Sequence, residues 1–166
     1  NLSGIAVDSL VSIPLQSFRE NILFTHRGIS GPAILQISSY WQAGEAITIN
    51  MLPEMNLSEY LKQMQRQQPQ KQLKSILAEL LPQRLVETFV NANIAHQKLA
   101  ALAYRDFDQI AACIQSWELK PNGTEGYRTA EVTLGGVDCD AISSKTMQVN
   151  NIPGLYFIGE VLDVPG

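Results

Sequence analysis

The feature that most constrains the fold of this chain is a change in its hydrophobic period. Apolar residues alternate with polar ones in several segments before residue 56, recur at spacings of three and four between residues 56 and 115, and alternate again afterwards. Alternation is typical of half-buried strands, and the wider spacing is typical of amphipathic helices. The chain is therefore expected to adopt an α+β fold in which a helical segment is inserted into a small sheet.

Short segments with alternating apolar side chains predict the strands of this sheet. They cover residues 5–15, 21–25, 46–52, 117–120 and 129–134. Asp8 and Ser9 interrupt the first segment, where we expect a bulge or a turn. Together the segments predict one small antiparallel sheet.

The helical segment predicts a bundle of about four short helices. They are expected after Asn56, at residues 73–81, at residues 85–90 and after Asp106, with a Gln-rich connector at residues 65–72. Glu59 follows Asn56 at the spacing of a capping box, and Pro82 ends the second helix. Each helix is too short to be stable alone, so the four should pack together.

Composition limits the function classes. The 166 residues are 45% hydrophobic, which is enough to bury a core, and carry a formal net charge of −4. An acidic chain without a run of Lys or Arg lacks the footprint of a nucleic-acid-binding protein, so we expect no nucleic-acid partner. No apolar run approaches the roughly 20 residues that cross a bilayer, and no signal-like segment opens the chain. A cytoplasmic protein without a membrane partner is expected.

Cysteine and histidine usage predicts neither a disulfide framework nor a metal site. Cys113 falls on a predicted helix, where we expect a small core residue, and Cys139 lies between two aspartates. His26 and His96 are the two histidines, and no Cys/His cluster has the spacing of metal ligands.

A glycine-rich turn precedes another predicted helix at residues 33–41. Its polar and glycine positions are Thr25, His26, Gly28, Ser30 and Gly31. Ser30 or Gly31 can cap the helix, with Pro32 as its first residue. Free N–H groups at a helix start can hold an anion, so the turn could face an anion or a substrate. The alternative is a capped turn without a ligand.

A second pair of glycines follows the predicted strand at residues 129–134. Gly135 and Gly136 predict a positive φ, or the close approach of another backbone or of a ligand. A tight turn is the alternative.

The C-terminal segment predicts a strand that ends at a site. Residues 155–158 form a short apolar run, expected to be a buried strand, and Gly159, Glu160 and Asp163 follow it. Carboxylates at the end of a strand could accept hydrogen bonds from sugar-like hydroxyls, although a solvated acidic turn would have the same pattern. The chain ends three residues later and begins without Met. Because termini usually lie in dispensable segments, we expect a fragment of a longer protein.

Three segments together resemble one family. They are FTHRGISGP at residues 24–32, AEVTLGGV at residues 130–137, and TM at residues 146–147 followed by PGLYFIGEVLD at residues 153–163. In this order they resemble the BaiN/YhiN-like NAD(P)/FAD-dependent oxidoreductases, also called aminoacetone-oxidase-like flavoproteins. The resemblance covers nearly the whole chain.

The resemblance implies an FAD-dependent oxidoreductase with a small-molecule substrate and NAD(P)H as a candidate reductant. In that family an insert made of a small β-barrel and a helical subdomain splits a Rossmann-like FAD-binding domain. Residues 1–55 and 116–140 would form the β-barrel-like sheet, residues 56–115 the helical subdomain, and residues 141–166 would return to the FAD domain with its C-terminal strand. The rest of that FAD domain would be the partner of this chain.

The resemblance also implies positions for the cofactor. Gly159, Glu160 and Asp163 match a segment that passes the ribityl and phosphate region of the flavin, and Gly135 and Gly136 match a motif on the flavin side. The turn at residues 25–31 would face the flavin or the substrate. No residue is assigned as a catalytic acid or base.

The chain departs from the family pattern in two respects. The G-x-G-x-x-G fingerprint of a dinucleotide site and the Gly-Gly-Tyr-Asn-like segment that the family pattern has after Asp163 are absent, so the chain alone is not expected to bind FAD or to be active. Val149 and Asn150 stand where the family pattern has Ser-Lys, and Pro165 is unusual in the last motif.

Two further functions fit parts of the sequence. A β-barrel with a helical bundle could be a non-enzymatic module that binds a protein or a small ligand. Ser30 and His26 are residue types of a hydrolase, but the G-x-S-x-G elbow and an evident third member are missing.

Overall fold

The computed structural model describes residues 2–130 and 133–163. The predicted strand at residues 129–134 lies partly outside the described residues, and its described part forms no strand. The chain divides into two compact units, Asn1–Asn122 and Gly123–Gly166. The three-part division implied by the family resemblance stays a prediction.

The first unit is built on a five-stranded antiparallel sheet with the order β3-β2-β1-β4-β5. The strands are β1 (Ala6–Ile13), β2 (Gln16–Phe24), β3 (Ile29–Ser30), β4 (Ile47–Asn50) and β5 (Trp117–Leu119), and α1 (Pro32–Ser38) connects β3 to β4. The predicted α+β fold class is confirmed.

β1 is continuous through the two polar residues that interrupt its apolar pattern. Its residues pair one to one with β2, from Ala6 with Leu23 to Ile13 with Gln16, so the predicted bulge or turn is wrong. Ser9 is fully buried, and its hydroxyl donates a hydrogen bond to the carbonyl of Val7 at 3.2 Å. This local bond satisfies the hydroxyl and lets a polar residue stay inside the strand.

The predicted second strand begins too late, at residue 21. β2 begins at Gln16, and Leu15 is 90% exposed in the turn before it. The first half of β2 is polar, and Arg19 pairs there with Asp8 at 2.8 Å and with Glu54. Ion pairs on a solvent-facing edge replace the apolar alternation that identifies a strand.

The helical segment contains one α-helix more than the pattern indicates. It consists of α2 (Leu57–Gln67), α3 (Leu73–Leu77), α4 (Gln83–Phe89), α5 (Ala92–Ala95) and α6 (Tyr104–Gln115), with a 3-10 turn at Leu99–Ala101. The side chain of Asn56 accepts a hydrogen bond from the N–H of Glu59, as the capping pattern predicts. Asp106 lies inside the first turn of α6 and accepts from the N–H of Ala103 at 2.7 Å. Cys113, expected in the core, lies exposed on α6.

One hydrophobic core joins the sheet to the helices of the first unit. Val11, Ile22 and Ile49 of the sheet are fully buried, as are Phe107 and Ile114 of α6. Burying such side chains contributes about 1.5–3 kcal/mol each. The helices are therefore part of the same core as the sheet.

The second unit has little regular structure in its described residues. It contains 3-10 turns at Cys139–Ala141 and Gly159–Val161, and its single bridges pair Val137 with Leu162, Ile142 with Val149, and Gln148 with Tyr156. Residues 155–158 form no strand beyond the single bridge at Tyr156, and Tyr156 is 56% and Ile158 73% exposed, so the expected buried strand is wrong. In the described part of this unit no second layer covers these side chains.

Candidate functional site

Two of the predicted cofactor-binding segments lie side by side in the second unit. The N–H of Val137 donates to the carbonyl of Val161 at 2.8 Å, and the N–H of Asp163 donates to the carbonyl of Val137 at 3.0 Å. A Cβ on Gly136 would lie 2.6 Å from the carbonyl carbon of Leu162. Glycine is needed at this position because another backbone occupies the space of a side chain.

Gly135 and Gly159 lie near this contact in the left-handed backbone region, with φ of +86° and +78°. No heavy atom outside the neighbouring residues lies within 4 Å of a Cβ built at either position, so both sites are open. Glu160 and Asp163 are exposed carboxylates. The structure thus brings Gly136 against the backbone of residues 161–163, with Gly135 next to it in sequence and Glu160 in the 3-10 turn before Asp163. Their role as cofactor contacts stays a prediction.

Cys139 also lies at this contact between the two segments, although the sequence did not indicate it. Its thiol donates a weak hydrogen bond to the carbonyl of Asp163, at 3.6 Å. The side chain of Asp138 accepts from the N–H of Asp140 at 2.9 Å and fixes the 3-10 turn that carries the thiol. The contact joins residues 24 positions apart, so no local pattern could have predicted it.

Several polar groups of the glycine-rich turn in the first unit form hydrogen bonds within the turn itself. The hydroxyl of Thr25 accepts from the N–H groups of Arg27 and Gly28, and the N–H of Thr25 donates to the carbonyl of Gly28 at 2.8 Å. Gly31 caps α1 with φ of +96°, and a Cβ there would lie 2.7 Å from the carbonyl oxygen of Asn21. Close packing on β2 is therefore enough to explain Gly31.

The other predicted residues of this turn show no catalytic arrangement. Ser30 lies in β3 and pairs with Leu23, while His26 is exposed. Among the described residues no hydrogen bond joins His26 to Ser30, so the pairing that a hydrolase needs is not formed. An anion or substrate role for Thr25, His26, Gly28, Ser30 and Gly31 stays a prediction.

The exposed side of α2 forms a shallow cavity that the sequence did not indicate. Its volume is about 460 Å³, and it is lined by Asn56, Glu59, Tyr60, Lys62, Gln63 and Arg66. Lys62 binds Glu59 at 3.0 Å, and this hydrogen bond raises the pKa of the lysine. Arg66 is exposed and has no carboxylate within 4 Å in the described part of the chain.

The described residues show neither a metal-binding cluster nor a membrane-spanning helix. Within residues 2–130 and 133–163, no group of three or more His, Cys, Asp or Glu side chains could hold a metal ion. No helix in those ranges combines the length and apolarity that a membrane span requires.

Comparison with known families identifies the first unit. A family described as HI0933-like protein barrel and H2TH domain matches residues 1–132. The chain belongs to this HI0933-like family. The match covers the five-stranded sheet and all the helices α1 to α6.

Individual relatives of the HI0933-like chain extend the match to the second unit. The chain is 52% identical to a ribosomal RNA dihydrouridine synthase of Escherichia coli (strain K12) and 50% identical to one of Haemophilus influenzae, each over 99% of this chain and 42% of the relative. It is 29% identical to a 3-dehydro-bile acid delta(4,6)-reductase of Clostridium scindens, over 86% of this chain and 37% of that protein. The chain thus spans less than half the length of these relatives.

The exclusion of a nucleic-acid partner is wrong. It rested on the net charge and on the lack of Lys and Arg runs, yet two relatives that match 99% of the chain are named for a reaction on ribosomal RNA. Net charge is a sum over the whole chain, whereas phosphate contacts depend on where individual charges lie. Basic residues that are separated in sequence can also meet in the fold.

Proposed function

We propose that this chain is part of a flavin-dependent oxidoreductase that reduces uridine to dihydrouridine in ribosomal RNA. The identity of 52% to a ribosomal RNA dihydrouridine synthase over nearly the whole chain carries this proposal. The match runs through both units, including the Gly135-Gly136 and Gly159–Asp163 segments. A binding module without redox chemistry has no comparable support.

The chemistry is a two-electron reduction. Dihydrouridine differs from uridine by two hydrogen atoms added across one carbon–carbon double bond of the base. One carbon receives a hydride and the other a proton, and the hydride donor is oxidised. The name of the Clostridium scindens relative also describes a reduction, so two branches of the comparison agree on the class of reaction.

FAD is the cofactor that we assign, and a reduced flavin would supply the hydride when bound. The second unit offers a surface that fits such a group. Gly135 and Gly159 leave open space where side chains would otherwise stand, so a ligand can approach the backbone there. Glu160 and Asp163 are exposed carboxylates that can accept hydrogen bonds from ribityl or ribose hydroxyls. The remaining contacts would come from the rest of the FAD-binding domain.

NAD(P)H is the reductant that we assign to the flavin, and ribosomal RNA replaces a small molecule as the substrate. A protein that acts on ribosomal RNA works in the cytoplasm, which is where we place it. The turn at residues 25–31 is the part of the first unit that we assign to the flavin or substrate side.

The test is reduction of ribosomal RNA that starts without dihydrouridine. The complete purified protein is incubated with ribosomal RNA transcribed in vitro, FAD, and NADH or NADPH, and the RNA is digested for nucleoside mass spectrometry. Dihydrouridine should form only when protein and reductant are both present. FAD-loaded protein that forms none with either reductant would contradict the proposal.

A further inference from the structure

Positive charge is concentrated in two stretches of the helical segment. Residues 60–78 contain Lys62, Arg66, Lys71 and Lys74, and residues 88–105 contain Lys98 and Arg105, while neither stretch contains Asp or Glu. Six of the twelve Lys and Arg residues and none of the sixteen Asp and Glu residues therefore lie there. The chain is acidic as a whole, yet these stretches are basic.

The fold joins the two stretches. Gln72 and Lys98 form an antiparallel bridge, the N–H of Leu73 donates to the carbonyl of Gln97 at 3.0 Å, and the N–H of Leu99 donates to the carbonyl of Lys71 at 3.0 Å. These bonds make the two stretches direct neighbours at residues 71–73 and 97–99.

The end of α2 is tied to the same place. The side-chain amide of Gln65 donates to the carbonyls of Leu99 and Leu102, at 2.6 and 2.9 Å. Arg66 follows Gln65 in α2, so its backbone also lies near the second stretch. We call the surface of Arg66, Lys71, Lys74 and Lys98, with the glutamines at positions 67, 68, 70 and 72, the basic amide face.

Most cations of the basic amide face are not neutralised by the protein. Lys71 pairs with Glu79 at 2.5 Å, and Lys98 donates only to the neutral amide of Gln70, at 2.8 Å. Arg66, Lys74 and Lys98 are exposed, and in the described part of the chain none has a carboxylate within 4 Å. Glu79 neutralises one of the four cations, so the basic amide face keeps an excess of positive charge, which favours an anionic partner.

The glutamines add a second kind of recognition. Gln67, Gln68, Gln70 and Gln72 are exposed, and amide side chains donate to phosphate oxygens and to sugar hydroxyls without reading base sequence. RNA helices are recognised largely through phosphates and 2′-hydroxyls. Charge and amide chemistry therefore fit the same partner.

We propose that the basic amide face binds the sugar-phosphate backbone of ribosomal RNA, at a distance from the base that is reduced. The proposal rests on the proposed function for the identity of the RNA. Each cation neutralises a phosphate and releases its counterion, so binding must weaken as salt rises. The face fixes the position of the RNA and does not choose the uridine.

The test compares two triple variants of the complete protein. One changes Arg66→Gln, Lys74→Gln and Lys98→Gln. The matched control changes Lys120→Gln, Arg128→Gln and Lys145→Gln, which removes the same charge from exposed positions outside the basic amide face. Binding to fluorescently labelled ribosomal RNA transcribed in vitro is measured by anisotropy between about 0.05 and 0.2 M salt, without reductant. Circular dichroism and thermal unfolding confirm that each variant is folded.

The first variant should lose affinity by at least about tenfold near 0.1 M salt, and the slope of log K against log salt should become less steep by about two. The control should keep both the affinity and the slope near the wild-type values. Equal losses in the two variants would show an effect of net charge alone and overturn the proposal. Wild-type affinity and slope in the first variant would also overturn it.

The binding test and the reduction test have independent outcomes, so each proposal can be refuted without the other. A protein that binds RNA through the basic amide face but forms no dihydrouridine would refute the proposed function alone. A protein that forms dihydrouridine while the first variant binds RNA normally would refute the basic amide face alone. A wild-type protein without measurable RNA binding at low salt would contradict both.

Discussion

At the residue scale, three glycines of the candidate site are required for two different reasons. Gly136 is needed because the backbone at Leu162 occupies the position of its Cβ, whereas Gly135 and Gly159 are needed for their positive φ and leave open space. The sequence predicted both kinds of requirement for a double glycine, and both are present. It could not predict which backbone approaches, since the contact joins segments about 25 residues apart.

Gly136→Ala should disrupt the pairing of Val137 with Leu162. The new methyl group would stand 2.6 Å from backbone atoms, which cannot move aside as a side chain can, and forcing such a contact costs about 1–3 kcal/mol. Hydrogen–deuterium exchange at the N–H groups of Val137 and Asp163 should become faster. Gly123→Ala is the control, because its added methyl group meets no atom within 4 Å. Unchanged exchange in Gly136→Ala would show that the close approach is not maintained in solution.

Asp163→Ala should weaken flavin retention if the open surface around Gly135 and Gly159 holds the cofactor. Loss of a carboxylate that binds a ribityl or ribose hydroxyl costs about 1–3 kcal/mol, or roughly a fivefold to 150-fold rise in Kd. The ratio of visible to ultraviolet absorbance in the purified complete protein measures the bound flavin. Asp140→Ala provides a matched carboxylate control in the same unit. Full flavin occupancy in Asp163→Ala would remove Asp163 from the cofactor site.

At the element scale, the side chain of Gln115 connects the beginning and the end of the helical insertion. Its side-chain amide, at the end of α6, donates to the carbonyls of Leu52 and Met55, at 2.8 and 2.6 Å, and accepts from the N–H of Leu57 at 2.9 Å. One side chain therefore joins the exit of β4, the start of α2 and the end of α6. The sequence gives no sign of it, because the partners lie about 60 residues away.

Gln115→Ala should destabilise the first unit by about 1–3 kcal/mol. Three partly buried backbone groups lose their partner, and an unsatisfied polar group costs its desolvation energy. Urea unfolding followed by circular dichroism gives the free energy of unfolding. Gln109→Ala, at an exposed position of the same helix, should change it by less than about 0.5 kcal/mol. Equal stability of the two variants would show that the hydrogen bonds of Gln115 do not stabilise the first unit.

The contact between α2 and α6 carries a pH-dependent interaction. Ser58 of α2 donates a hydrogen bond to Asp108 of α6, and this bond, with a smaller effect of Lys62, lowers the pKa of Asp108 from its usual 3.8. A carboxyl group with a lowered pKa in the folded state stabilises the fold above pH 3.8. That stabilisation is lost as the pH falls through the folded-state pKa.

Ser58→Ala should therefore reduce stability most at neutral pH, and the difference from wild type should shrink as the pH falls below 3.8. Urea unfolding at a series of pH values measures this difference. In an Asp108→Asn background the effect of Ser58→Ala should no longer vary with pH over that range. A difference that grows toward low pH would reverse the assigned sign and contradict the account.

At the scale of the whole molecule, periodicity predicted the α+β class but not every element. Hydrophobic spacing placed α2 and α6, because each has a long apolar stripe facing the core. It missed the start of β2, where ion pairs replace apolar residues, and α5, which is only four residues long. It also predicted burial for residues 155–158, since an apolar run indicates a covered strand and does not say what covers it.

Function was harder to predict from the sequence than the fold was, for a related reason. The net charge led to the exclusion of a nucleic-acid partner, whereas the structure pairs residues 69–73 with residues 97–100 and so brings the backbones at Lys71 and Lys98 together. That pairing is a property of the tertiary fold and cannot be found as a run in the sequence. The flavoprotein resemblance led to the proposed oxidoreductase class, and the proposed RNA substrate came only from the names of the relatives.

The most direct measurement of the central claim is the dihydrouridine content of ribosomal RNA from cells that lack this protein. Ribosomal RNA is purified from the deletion strain, from its parent and from a strain in which the gene is restored, and the nucleosides are quantified by mass spectrometry. The account predicts that dihydrouridine in ribosomal RNA falls in the deletion strain and returns with the restored gene. An unchanged dihydrouridine content in the deletion strain would contradict it.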